Sequence, residues 1–124
     1  MNQAEFKRLY DEYRNGANHM VRHPLARNVI YSDGVQEVAE TGIYWALDIW
    51  ATELPKVMRN HAEHMLVITI HVKDSKAHIT ATGSRDVVMP WSRAIEWTDM
   101  PDGDWLFYMA DEGDTFSIIL PNEY

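Results

Sequence analysis

Cysteine is absent from these 124 residues, which excludes disulfides and thiolate metal sites. There is no apolar run near the length that crosses a bilayer, and Met1 does not open a basic-then-apolar leader. Neither membrane insertion nor export is expected, and the cytoplasm is the expected location. The chain also lacks a glycine-rich nucleotide loop, a catalytic triad signature and a strong metal motif. No catalytic residue, metal or cofactor is therefore assigned. What remains is an ordinary globular composition, 46% hydrophobic and 24% charged, which argues against disorder. The length fits one domain, 1–124, with a single core.

One sign of charge is missing from the last quarter. No Lys or Arg follows Arg93, while Glu96, Asp99, Asp102, Asp104, Asp111, Glu112, Asp114 and Glu123 all lie beyond it. The net charge of −8 therefore resides there. Such a segment repels nucleic acid and favours a partner with a basic surface.

Local patterns give the elements. Asn2 with Glu5 forms a capping box, and Phe6, Leu9, Tyr10 and Tyr13 make one apolar stripe. A helix is expected over 3–15, closed by Gly16. Residues 18–24 read as a connector before Pro24, and Val29–Tyr31 as a short extended segment. Ser32 or Asp33 opens a second helix, which Thr41-Gly42 breaks. A third helix, 43–53, is apolar around most of its axis and should be central, with Pro55 beyond its end. The period then changes to two. Strands 65–72 and 77–82 flank a connection at 73–76, a third strand spans 91–97, and 105–110 pairs with 115–120 across 111–114. Short links imply a meander. The expected fold is α+β: three N-terminal helices packed on one face of a five-stranded, mainly antiparallel meander sheet. Its core should hold Phe6, Leu9, Tyr13, Val38, Tyr44, Leu47, Trp50, Leu66, Ile68, Ile70, Ile79, Ile95, Phe107, Ile118 and Leu120.

Several short motifs are spread along the chain: Arg22-His23, Tyr31-Ser32-Asp33-Gly34-Val35, Ala39-Glu40, Tyr44-Trp45, Leu47-Asp48, Trp97-Thr98-Asp99-Met100-Pro101 and Leu120-Pro121-Asn122-Glu123-Tyr124. On these motifs, from about residue 20 onward, the chain resembles an uncharacterised family of small bacterial, phage and plasmid proteins. The resemblance implies a shared fold and a mobile-element origin, with the host cytoplasm as location if phage-encoded. It transfers no catalytic residue.

Two residue groups are candidate sites. Arg22, His23, Ser32, Asp33, Tyr44 and Asp48 are the candidate ligand-binding set. Backbone N–H groups at the Ser32-Asp33-Gly34 helix start attract anions, and a carboxylate such as Asp48 held against aromatic bulk can serve as general acid or base. The bland alternative is that Ser32 or Asp33 caps the helix, that Arg22 pairs with Asp33 or Asp48, and that Asp48 fixes the core through hydrogen bonds. His61 and His64 lack the spacing of a metalloprotease helix, and His71 and His78 project from adjacent strands, so no metal is assigned. The eight late carboxylates are the candidate partner-binding set, with Glu123 expected beside Glu96, Asp99, Asp102 and Asp104. The leading functional expectation is an inhibitor of a host defence complex, like an anti-CRISPR, whose carboxylates occupy a basic nucleic-acid groove. It binds no nucleic acid directly. A small anion- or nucleotide-binding protein or enzyme, and a homodimer formed through the aromatic strands, are the alternatives.

Overall fold

The computed structural model describes every residue except Tyr13, Asn15 and Asn18. Asn2 accepts the Glu5 N–H at 3.1 Å and opens α1 (Gln3–Asp11), which buries Phe6 and Leu9. The helix stops short of the expected residue 15 because Glu12 is extended. A distant residue takes over the freed carbonyls: the Asn122 amide donates to Tyr10 C=O at 3.1 Å and to Glu12 C=O. Tyr13 of the expected core lies outside the described residues.

The expected connector instead holds β1 (Met20–Arg22), antiparallel to β2 (Val29–Ser32). Ser32 ends β2 and caps α2 (Asp33–Glu40) by accepting the Val35 N–H at 3.1 Å. The break at Thr41-Gly42 is present, and Gly42 has φ 135°. The third helix, α3 (Tyr44–Asn60), runs past its expected end with Pro55 inside it. Leu54 and Met58, both fully buried, lie around the proline. Their burial outweighs the hydrogen bond that proline cannot make.

Two long strands follow, β3 (Met65–Lys73) and β4 (Lys76–Thr82), and they are joined more tightly than expected. Asp74 and Ser75 alone form the turn, at φ 52° and 64°, the paired left-handed conformation that suits the strand twist. β5 spans Val88–Ile95 rather than 91–97, β6 Gly103–Asp111 and β7 Phe116–Ile119.

Among the described residues the fold is α+β, with three α-helices and one seven-stranded mixed sheet in the order β1-β2-β7-β6-β3-β4-β5. This corrects the five-stranded meander in three respects. Two short strands, β1 and β2, interrupt the N-terminal helices. β6 pairs with β3 rather than with its chain neighbour β5. β2 and β7 are parallel, with Val29 opposite Phe116. In β3 the residues Leu66, Ile68, Ile70 and Val72 are buried and their neighbours are not, so one face of the sheet carries the helices. The core joins Trp50, Leu47 and Phe6 to Phe107, Phe116 and Ile118. Tyr44, expected inside, is 41% exposed, and Ile95 is half-buried on the outermost strand. Beyond the reach of β7, the Tyr10 hydroxyl closes the rim of β6. It accepts the Leu106 N–H at 2.8 Å and donates to the Leu106 C=O at 3.0 Å.

No helix among the described residues is long and apolar enough to cross a membrane.

Candidate functional site

The candidate ligand-binding residues lie where β1, β2 and the starts of α2 and α3 meet, but they are bonded to the fold. His23 is buried, and its Nδ1 accepts the backbone N–H groups of Leu25 at 3.2 Å and Ala26 at 3.0 Å. The proton therefore sits on Nε2, which donates to Asp48 Oδ1 at 2.8 Å. Arg22 donates to the carbonyl of Arg27 and so braces the same loop. Asp33 accepts the N–H of its neighbour Gly34 at 2.9 Å.

Asp48 remains 59% exposed on its outer side. Sequence reasoning missed Tyr31 beside it, whose alternation in β2 was the available signal. Burial, then Tyr44, Asp48 and Glu40, raise the Tyr31 hydroxyl above its ordinary value. Burial and Glu40 raise Tyr44, against a lowering hydrogen bond with Gln36. Both phenols therefore stay protonated at neutral pH. Grooves at the β3–β4 turn, between α1 and α2, and along β5 are lined by other residues.

Ser32 has a second partner besides the helix that it caps. Its hydroxyl donates to Glu123 Oε1 at 2.5 Å, and the same oxygen accepts the Leu120 N–H at 2.8 Å. Glu123 is 4% exposed, which corrects its placement among surface carboxylates. It lies at the start of α2, where the helix's free N–H groups favour negative charge. Gly34 makes room for it: a Cβ there would stand 2.5 Å from Glu123 Oε2. That oxygen is buried and has no hydrogen-bond partner among the described residues. The motif around Ser32 and the C-terminal motif, separate in sequence, thus form one internal contact, as do those holding His23 and Asp48.

This pairing identifies the motifs as parts of one folded unit, and a family model covers that unit at residues 7–124. The chain belongs to a family of unknown function, DUF6876. Comparisons with curated proteins and with solved structures give no match.

In this DUF6876 chain the other late carboxylates are mostly engaged. Asp99 holds the Met1 amino group, Asp102 accepts the Asp74 N–H at 3.1 Å, and Asp104 meets His71 Nδ1 at 2.9 Å. Asp111 lies 3.7 Å from Arg59 and accepts the Gly113 N–H. Glu96, Glu112 and Asp114 are exposed. Lys73 and Lys76 stand in the same turn region as Asp102 and Asp104, so that end of the sheet is not uniformly acidic. His71 also contacts Thr80 at 3.2 Å, and its ring lies 6.4 Å from that of His78. No group of three His, Asp or Glu among the described residues is placed to hold a metal.

One feature unused by the fold is the sheet face away from the helices. Cross-strand register places Ile119, Tyr108, Val67 and Thr82 in one row and Leu106, Thr69, Thr80 and Ser92 in the next. Ile30 and Met65 join that face. The large apolar members are all half-buried, and exposed Tyr124 leans edge-on over Tyr108 at 5.6 Å.

Proposed function

We propose that this chain is a binding protein, an inhibitor that occupies a surface of a partner protein, with its uncovered sheet face as the contact. One observation carries this reading: the face without helices presents Ile30, Met65, Val67, Leu106, Tyr108 and Ile119 together. The outer face of an antiparallel sheet is ordinarily polar, and a contiguous apolar patch on a soluble surface marks an interaction site. Tyr108 and Tyr124 supply the aromatic anchors that dominate such contacts. A host defence complex as target remains the expectation drawn from the small size, the missing catalytic signature and the acidic, aromatic last quarter, and a mobile element as source the one drawn from the family resemblance.

The role of the acids changes accordingly. With Glu123 buried and Asp99, Asp104 and Asp111 paired, the set no longer resembles a continuous phosphate track. Exposed Glu96, Asp102, Glu112 and Asp114 would instead rim the contact and steer a basic partner, an effect on association rate that salt screens. The test is capture from a host lysate with two variants beside the parent chain. Leu106→Glu with Tyr108→Ala should abolish capture. Glu112→Gln with Asp114→Asn should weaken it several-fold, and only at low salt. Capture unaffected by the face variant would refute the contact surface. Loss with the acidic variant alone would restore mimicry.

A further inference from the structure

The sheet has two rims, β1 with three residues and β5 with eight. A long free rim offers backbone donors and acceptors to another strand. The turn at Asp74-Ser75 decides which residues of β5 do so. A two-residue turn makes its closing pair, Lys73 and Lys76, hydrogen-bonded, so Ala77 and Ile79 turn their backbone groups toward β5. These stand opposite Ile95 and Arg93. Ser92 and Ala94 therefore direct theirs to the free rim. Beyond them the register with β4 shifts, Thr82 meeting Val88, so the segment holding Pro90 bulges, at an edge where proline, which lacks a donor, is tolerated.

We propose that β5 pairs antiparallel with β5 of a second copy about a two-fold axis at Ser92. Residues equidistant from Ser92 then oppose each other. Trp97 meets Val87 of the second copy, Ile95 meets Met89, and Arg93 meets Trp91. Arg93 and Ile95 lie on the helix side of the sheet, opposite Ile79 and Ala77, at positions whose backbone groups point away from the new seam, where side chains approach most closely; Trp97 and Val87 stand just beyond the two ends of β5. Trp97 is 69% exposed and Val87 52%, and each covers the other. Arg93 gains an indole face. The strand Val88–Ile95 carries one charge, Arg93, in a chain of net charge −8. In this register Glu96 opposes Val88 and Asp86 opposes Thr98, so no acid faces an acid. A slip by one pair places Trp97 opposite buried Met89 or charged Arg85. The pairing leaves both uncovered sheet faces on the same side and stands independently of the proposed function.

Light scattering on the full chain should give twice the 14.4 kDa of one copy. Ser92→Cys introduces the sole thiol of the chain at the axis, where opposed Cα atoms stand about 5.5 Å apart, within disulfide reach. Mild oxidation should then cross-link Ser92→Cys near completely, and Lys56→Cys on α3 not at all. Ser92→Pro removes a donor from the seam and should halve the mass with the circular dichroism spectrum retained. Monomeric mass at about 100 µM, a concentration far above the dissociation constant of a specific dimer, would overturn the proposal. So would a dimer that fails to cross-link through Ser92→Cys, which decides the matter even if Ser92→Pro does not fold.

Discussion

Glu123 shows how much one residue's meaning depends on its partners. Counted by charge it is one of eight late acids; in place, it accepts from Ser32 and Leu120 and fills the space that Gly34 leaves. Gly34→Ala should cost about 2–3 kcal/mol in urea denaturation, the scale of overpacking a tight site. Glu123→Ala should cost about 1–3 kcal/mol by leaving buried donors unmet. Combined, the two should cost less than their sum, because the second removes what the first strikes. Tyr10 allows a pH test. Burial raises its hydroxyl above the ordinary tyrosine value, with Asp11 and Tyr108 adding and the Leu106 hydrogen bond opposing. Its stabilising contribution is complete below the unfolded value of about 10 and is lost as pH rises through the higher folded value. The thermal midpoint should fall through that alkaline window, and fall less in Tyr10→Phe. Glu63 has the opposite sign. The Ser84 N–H and hydroxyl lower its carboxyl, so its contribution is present above the unfolded value and is lost as pH falls through the folded one. Glu63→Gln should flatten that acid limb.

At the scale of elements, the parts governed by neighbours in sequence were legible. Asn2 and Ser32 cap the helices they were expected to open, and alternation located the β3–β4 hairpin. What local pattern could not reveal is long-range. α1 ends where Asn122 takes its carbonyls, and β6 lies beside β3 because matched apolar faces decided the pairing. Of the candidate ligand set, the Ser32 cap was foreshadowed, whereas the partner of Asp48 was not, since it is His23 and Arg22 turns to the Arg27 carbonyl instead. The Glu123 contact was hidden because charge alone does not specify burial. Two elements contain residues that oppose their own geometry. Asp74 and Ser75 occupy left-handed backbone, which costs about 1–2 kcal/mol per ordinary residue. Asp74→Asn with Ser75→Gly should therefore raise the thermal midpoint by several degrees. Pro55→Ala should raise it as well, by up to about 3 kcal/mol of stability, since α3 already continues through that position.

Across the whole molecule, the parallel pair β2–β7 joins the two ends of the described fold, and Ser32 meets Glu123 across a sequence separation of 91. Synthesis proceeds in one direction and domains generally fold as units. β2 and α2 are therefore made early but have no neighbour to close on until β7 and Glu123 have been made. The first third of each new molecule spends most of its synthesis with an apolar surface in search of a lid, open to chaperones and proteases alike. Ribosome-arrested chains ending at Glu112 should be cleaved readily between α1 and α3, whereas released full-length chains should resist the same protease. Equal resistance in both would mean that the early elements close by themselves.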